Sequence, residues 1–307
     1  MRVLTRFFPR LAAGASVLLT ASAWAHADEP AWSSGIEPWL AALLIVAAAL
    51  HARGLHLLSR AGTHRPHVAL WALLFTLGWS ALAISLVSPL ATESAGLFSA
   101  HMIQHELLVV LAAPLMVLGR PVAIWTWALP PQWRRAVAKP FRHGAVGRAW
   151  RALTTPSVAT VLHAAAIWVW HVPRMFESAE ASIAVHALQH SSFLFSALLF
   201  WWMLLRPGHD RGVALAVLCL FFTMLHTSAL GVLLTFSSEV WYPASTAGAA
   251  QWGLTPLEDQ QLGGLIMWVP GGIPYVIAAL ALAARWFRKR FDADQHSRDV
   301  AAQPQSR

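Results

Sequence analysis

Residues 98–121 read FSAHMIQHELLVVLAAPLMVLGRP, an apolar run with two histidines four residues apart near its beginning. A run of about 20 apolar residues is long enough to cross a bilayer as a helix. In that helix His101 and His105 share one face, about 5 to 6 Å apart at Cβ. Because an ionisable group at the centre of a span costs about 2.5 to 3.5 kcal/mol on insertion scales, the pair is a candidate functional site. His186 and His190 repeat the spacing in a second apolar run, and we expect the two pairs to face each other.

The composition indicates an all-α, polytopic membrane helical bundle. Hydrophobic residues make up 57% of the 307 residues and charged residues 12%, against roughly 25% charged residues in soluble domains. The net charge of +8 is spread over several short loops, which indicates membrane topology and argues against nucleic acid as a partner. Cys219 is the one cysteine, so an internal disulfide and a CxxC motif are both excluded.

Hydropathy predicts seven spans within a membrane domain at 38–286. The predicted spans are 38–57, 67–88, 96–118, 156–171, 183–205, 213–236 and 260–284. Arginine and lysine concentrate in alternate loops, and only Arg174 lies in a predicted outer loop. The positive-inside rule then predicts a bacterial plasma-membrane protein with its mature N-terminus outside and its C-terminus in the cytoplasm.

Both ends of the chain are expected to lie outside this domain. Residues 1–27 combine early arginines, an apolar stretch and a small-residue exit at 25–27, which is typical of a secretory signal peptide. An uncleaved first span is the alternative. The cytoplasmic tail at 287–307 is predicted to be disordered.

The predicted orientation brings most candidate ligands to the outer ends of different spans. These candidates are His101 and His105 on the third span, His171 on the fourth, His186 and His190 on the fifth, and Asp259 and Met267 on the seventh. Imidazole suits copper, zinc and iron, and a thioether favours Cu(I). The structural alternative is interhelical hydrogen bonding, which contributes about 0.6 kcal/mol on average in membranes.

Three further groups have open roles. Glu106 could orient a ligand imidazole on a neighbouring helix, accept a proton, or pack in its protonated form. His163 and His226 lie nearer the middle of the fourth and sixth spans. They could mark a transfer route inward, or simply bond nearby serine and threonine hydroxyls.

Four motifs carry a resemblance to a known family. They are HMIQHELLVVLAAPLMVLGRP from His101, HAAAIWVWHVPRMFESA from His163, HALQHSSFLFSALLFWW from His186 and LEDQQLGGLIMWVPGG from Leu257. In this order, across about residues 38 to 286, the chain resembles the CtaG family of cytochrome c oxidase assembly factors. The resemblance implies a seven-span protein that helps to mature copper-containing oxidases, with copper delivery as its favoured role.

The resemblance also implies a residue set. It points to His101, His105, His171, His186, His190 and Asp259, with Gln260 and Met267 as weaker members. Glu106 stands where relatives are expected to carry an apolar residue, so its role is not implied.

We therefore expect a non-enzymatic copper carrier. Cu(I), received from the periplasm through a copper chaperone, would bind neutral imidazoles and pass within the bilayer to a cytochrome c oxidase subunit. A b-type haem electron carrier, with axial histidines from facing spans, is the main alternative. A copper or proton transporter that uses Glu106, His163 and His226 is another. The sequence lacks a nucleotide-binding loop, a nucleophile elbow and an HExxH motif, which argues against an enzyme.

Overall fold

The computed structural model describes residues 38–61, 67–94, 96–142, 144–205 and 212–302. The described residues form helices, in agreement with the predicted all-α class. The helices are α1 (Pro38–Arg60), α2 (Val68–Val87), α3 (Pro89–Glu93), α4 (Phe98–Glu106), α5 (Ala113–Leu118), α6 (Pro121–Ala128), α7 (Pro131–Arg142), α8 (Gly144–Leu153), α9 (Pro156–Trp170), α10 (Pro173–Glu180), α11 (Ile183–Leu205), α12 (Val213–Thr235) and α13 (Pro256–Ala302). The predicted signal segment at 1–27 lies outside the described residues.

The helices include 6 that are long and apolar enough to span a membrane. They cover Leu40–Arg60, Val68–Val87, Phe98–Leu118, Ile183–Leu205, Val213–Thr235 and Pro256–Asp292. Helices α8 and α9 together pass the same test but are bent by 69°, and they make the count 7 if the bent pair is one span. The predicted spans therefore correspond to these elements.

Large apolar side chains cover the outside of the bundle. Leu43, Phe195 and Leu280, for example, are 59%, 65% and 65% exposed. A soluble monomer rarely exposes so much contiguous apolar surface, whereas lipid tails provide an apolar solvent for it. The exposed residues thus agree with a membrane location.

The third span is interrupted by a π-helical segment, Leu107–Ala112, between α4 and α5. Such segments widen the helix, and they occur frequently at functional sites. The buried Trp201 side chain on α11 donates a hydrogen bond from Nε1 to the carbonyl of Val109, at 2.9 Å. This bond fixes the π segment against α11, just below the His101–His105 pair.

Helices α12 and α13 pack with their backbones in close approach. A Cβ on Gly231 would lie 2.8 Å from the Gly264 carbonyl oxygen, and a Cβ on Gly264 would lie 2.7 Å from that of Gly231. Small residues at such positions allow membrane helices to approach closely. The contact sets α13, which carries Asp259 and Met267, beside α12.

The last helix is longer than the sequence analysis anticipated. Helix α13 begins at a capping box, in which Thr255 N and Oγ1 donate to Glu258 Oε2 and Glu258 N donates to Thr255 Oγ1. It then continues to Ala302. In place of the disordered tail expected from residue 287, residues 287–302 continue the helix beyond the apolar run, and 303–307 lie outside the described residues.

Candidate metal centre

Three buried imidazoles from two helices converge at one end of the bundle. His101 and His105 lie on α4 and His190 on α11, and each offers a ring nitrogen within 4.8 Å of the other two. Their exposed fractions are 0%, 5% and 8%. Histidine, cysteine, aspartate and glutamate are the usual metal ligands. Among the described residues, these three histidines form the group of such side chains that is compact enough to hold a metal ion.

The closest pair of ring nitrogens is His101 Nε2 and His105 Nε2, 3.0 Å apart. Two imidazole lone pairs at this distance repel each other unless a proton or a cation lies between them. Because imidazole nitrogens sit about 2.0 to 2.1 Å from a bound zinc ion, both nitrogens can reach one ion of this kind. The two imidazoles can therefore share a proton between their Nε2 atoms, and a metal ion can take the place of that proton.

A carboxylate lies behind the first of these imidazoles. Oε1 of Glu180, at the end of α10, is 3.1 Å from Nδ1 of His101, and the Glu180 side chain is only 8% exposed. The two atoms are at ion-pair distance, but neither has a hydrogen-bond partner among the described residues. If Nδ1 carries the ring proton, it faces the carboxylate and the lone pair is on Nε2. Metal-bound histidines almost always have a carboxylate, carbonyl or water in this position.

His186 and His171 flank the three imidazoles on opposite sides. The His186 ring is 4.2 Å from that of His190 and 5.8 Å from that of His101, between ring centroids, and it is partly exposed. The His171 ring centroid is 6.2 Å from that of His105. The two HxxxH pairs thus face each other, and His186 is the partly exposed member.

His171 is held as a ready acceptor of a cation or proton. Its Nδ1 lies 2.7 Å from the Ile167 carbonyl oxygen. Since a carbonyl only accepts, Nδ1 carries the proton and the buried Nε2 carries the lone pair. Tyr242, in the segment between α12 and α13, donates its hydroxyl to the His171 carbonyl at 2.6 Å. Burial raises the pKa of Tyr242 above its usual range, so the phenol remains a donor.

A small cavity lies beside His105 and His171. The volume open to the centre of a water molecule is about 20 Å³, which is enough for about one water. It is lined by His105, Glu106, Val109, Ile167, His171, Phe193, Thr227, Met267, Gly271 and Tyr275. His171 Nε2 and Glu106 Oε2, both lining this cavity, are buried and have no hydrogen-bond partner among the described residues.

Glu106 is fitted against a glycine on α13. A Cβ on Gly271 would lie 2.7 Å from Glu106 Oε2, so the absence of a side chain there makes room for the carboxyl group. Met267, one turn earlier on the same helix, is 5% exposed and lines the same cavity. The sequence pattern predicted neither this contact nor the cavity.

Asp259 and Gln260, which are candidate ligands by sequence, make hydrogen bonds with backbone groups. Asp259 accepts hydrogen bonds from Phe98 N at 2.7 Å and from Ser99 N at 3.0 Å, and it thereby caps the N-terminus of α4. Gln260 accepts from Trp241 N at 2.6 Å and donates to the Glu239 carbonyl at 3.0 Å. Both side chains position the helix and the connecting segment that surround the histidines.

His163 and His226 are not part of the three-histidine group. His163 Nδ1 lies 3.1 Å from Ser196 Oγ, and Trp168 donates from Nε1 to His226 Nδ1 at 3.2 Å. A hydrogen bond with a serine or threonine hydroxyl was one of the two alternatives for these residues, and His163 makes such a bond with Ser196.

Glu180 is a neighbour of the site that the sequence pattern does not predict, because nothing in the local sequence connects it with the third span. The short helix α10 makes the connection: Phe176 packs on the His101 ring with centroids 4.8 Å apart, and one turn later Glu180 reaches Nδ1.

Comparison with known proteins identifies the family. A family model described as cytochrome c oxidase caa3 assembly factor (Caa3_CtaG) matches residues 49–289. Uncharacterized proteins of Mycobacterium bovis and Mycobacterium tuberculosis are each 28% identical over 255 residues, which is 80% of this chain and 38% of theirs. An uncharacterized protein of Mycobacterium leprae is 26% identical over 226 residues, which is 69% of this chain and 33% of its own.

The chain thus spans about two fifths of the length of the first two curated relatives. No solved structure matches it significantly. The family match nevertheless includes α2 to α12 and the helices that carry all the histidines of the candidate site. This chain belongs to the family of cytochrome c oxidase caa3 assembly factors.

Proposed function

We propose that this protein supports cytochrome c oxidase assembly by holding Cu(I) at His101, His105 and His190 and passing it to an oxidase subunit. The observation that carries the proposal is the convergence of three buried ring nitrogens within 4.8 Å of one another. A buried polar group without a partner costs free energy. His105 Nδ1 and His190 Nε2 have no hydrogen-bond partner among the described residues, and His101 Nε2 is paired with His105 Nε2.

The donor set favours a soft, singly charged ion. Neutral imidazole suits copper, and a thioether adds preference for Cu(I); Met267 is the buried thioether on the neighbouring cavity. A cation at this depth also needs a compensating charge. Glu180, 3.1 Å from His101 Nδ1, supplies a carboxylate that only the His101 ring would separate from the ion. Its single negative charge balances the single charge of Cu(I) better than the double charge of Cu(II).

A carrier must also release its cargo. His186 adjoins the three ligands on the exposed side, where a donor can approach. His171 and Met267 adjoin them on the cavity side, and they provide weaker positions through which ligands can exchange. This arrangement suits stepwise transfer better than a closed cage of ligands.

The geometry favours copper over the haem alternative. Axial imidazoles on opposite faces of a haem need their nitrogens about 4 Å apart, twice a metal–nitrogen distance of about 2 Å, with a flat pocket between them. Here the histidines of the facing spans, His101 and His105 on α4 and His190 on α11, all offer ring nitrogens within 4.8 Å of one another, so three imidazoles crowd the space that a haem would occupy. The cavity beside them has room for about one water molecule.

Metal analysis and an absorption spectrum of the detergent-purified protein test the proposal together. After anaerobic loading with Cu(I) and removal of excess metal, we expect bound copper and no Soret band. A Soret band in protein as isolated would instead support the haem carrier. Protein that retains no more copper than a preparation with the three histidines replaced by alanine would contradict the proposal.

A further inference from the structure

Helices α7 and α8 form a basic hairpin that the proposed copper site does not use. Residues 131–153 read PQWRRAVAKPFRHGAVGRAWRAL and contain no aspartate or glutamate. Their basic residues are Arg134, Arg135, Lys139, Arg142, Arg148 and Arg151. The hairpin follows the third span and precedes the fourth, so it lies at the opposite end of the bundle from the histidines.

Both helices of the hairpin are amphipathic. On α7, Trp133, Val137 and Phe141 recur at every fourth position, and they are 58%, 41% and 50% exposed. Arg135 and Lys139 share the other side of the helix at the same spacing, and both are exposed. An exposed apolar stripe opposite a basic one is the pattern of a helix that lies in a membrane surface.

The hairpin is oriented for such a position. Helix α8 is bent by 69° from α9, so it lies closer to the membrane plane than to the normal if α9 crosses the bilayer. Trp150, on α8, packs against two other rings: its ring centroid is 6.1 Å from that of Phe141 on α7 and 5.7 Å from that of Trp202 on α11. The hairpin is thereby attached to the end of a membrane span.

One of the basic residues is already engaged. Arg134 donates from Nε to the Leu129 carbonyl at 2.9 Å and from Nη2 to the Trp127 carbonyl at 3.0 Å, and its guanidinium lies 4.4 Å from the Trp127 ring centre. Arg134 therefore caps the C-terminus of α6. The other described basic side chains, on Arg135, Lys139, Arg148 and Arg151, are exposed.

We propose that the α7–α8 hairpin lies in the membrane surface and binds the headgroups of anionic phospholipids. The apolar stripe of α7 would enter the acyl boundary, and the basic side chains would contact phosphate groups beside it. Charge complementarity selects this occupant, because a segment with basic residues and no acids is attracted to an anionic lipid surface. Free phosphate offers no partner for Trp133, Val137 and Phe141, whereas a phospholipid satisfies both sides of the helix. The inference is independent of copper binding.

Native mass spectrometry of the full-length protein in detergent tests the headgroup contact. With phosphatidylglycerol and phosphatidylcholine added in equal amounts, we expect preferential retention of phosphatidylglycerol. The double substitution R135Q/K139Q should lower that retention on the order of tenfold without changing phosphatidylcholine, and inorganic phosphate should not displace the lipid. R60Q/R288Q is the matched control, because both of these residues are exposed and lie outside the hairpin. Equal loss in the control, or no loss in R135Q/K139Q, would overturn the proposal.

A spin label tests the position of the apolar stripe. In a C219S background, nitroxide labels at V137C and Q132C report the apolar and the basic side of α7 in nanodiscs of phosphatidylcholine with phosphatidylglycerol. We expect the label at 137 to be accessible to oxygen and shielded from aqueous nickel, and the label at 132 to show the reverse. A label at 137 that stays accessible to nickel, or becomes shielded only when an oxidase subunit is added, would show that the stripe is free for a protein partner and would overturn the proposal.

Discussion

The Glu180 carboxylate lies 3.1 Å from Nδ1 of His101, although the two residues belong to different helices and are separated along the chain by a whole membrane span. The other ring nitrogen of His101, Nε2, lies 3.0 Å from Nε2 of His105. Glu180 also places a negative charge next to the proposed cation. Glu180 is thus a positioning residue for the site, and it is the first to test.

The substitution E180Q should weaken Cu(I) binding about 10- to 100-fold, the range typical of residues that support a metal ligand. The amide keeps the shape of the side chain but removes the charge. Competition with a chromophoric Cu(I) chelator measures the change. E177Q is the control, since Glu177 is an exposed acid on the same helix. Equal affinity of E180Q and E177Q would show that the 3.1 Å contact has no part in metal binding.

The close packing of Glu106 against Gly271 predicts that a side chain at position 271 lowers the stability of the protein, and that removal of the Glu106 side chain restores part of it. A Cβ at position 271 would lie 2.7 Å from Glu106 Oε2. G271A must therefore displace a carboxyl group whose Oε2 is buried, and we expect it to lower the free energy of unfolding by about 1 kcal/mol, the lower end of the range for overpacking. The decrease would appear as a lower Tm in detergent. G272A is the control, because its Cβ would meet its nearest neighbour at 3.9 Å.

The double substitution E106A/G271A should recover part of the stability lost in G271A, because it removes the side chain that the new methyl group contacts. A double-mutant cycle gives this coupling. If the two effects simply add, the close approach of Glu106 and Gly271 does not exist in solution.

Because Asp259 caps α4, its substitution should affect the stability of the protein more than its affinity for Cu(I). In D259N the amide nitrogen can no longer accept the hydrogen bond that Phe98 N or Ser99 N donates to the carboxylate. We expect a loss of about 1 to 3 kcal/mol in the free energy of unfolding and little change in Cu(I) affinity. The exposed Glu239 provides the control E239Q. Loss of copper binding with an unchanged Tm would restore Asp259 as a ligand.

The site should release metal in acid. An imidazole must be deprotonated to bind a metal ion, so protons compete with Cu(I) at each ligand. Lowering the pH from about 7.5 to about 4 should weaken the affinity, and the loss should come at the acid end of this range, because burial disfavours the charged imidazole. Thermal unfolding at both pH values checks that the fold is retained. An affinity that is independent of pH would indicate that imidazole nitrogen is not the main donor.

The sequence predicted those features that depend on local pattern. Each span is a continuous apolar run, and a spacing of four places His101 beside His105 on any helix, so both follow from periodicity alone. The depth of the other histidines then follows from the alternation of charged loops. These steps use no information about which helices are neighbours.

The remaining features depend on contacts between distant segments. Asp259 meets Phe98 across 161 positions of the chain, and no spacing rule connects a carboxylate at the start of the last span with the end of another helix. The same holds for Glu180, which reaches His101 because Phe176 packs on that ring. Residue chemistry alone therefore placed Asp259 among the candidate ligands, but it could not predict the contacts of Asp259 with α4 or the position of Glu180.

Titration of the purified protein with Cu(I) against a competing chelator, with and without His101, His105 and His190, tests the central claim most directly. The control replaces His56 and His67, which are exposed and lie at the other end of the bundle. We predict that H101A/H105A/H190A loses high-affinity Cu(I) binding while H56A/H67A keeps it. Undiminished binding by the folded triple variant would contradict the account.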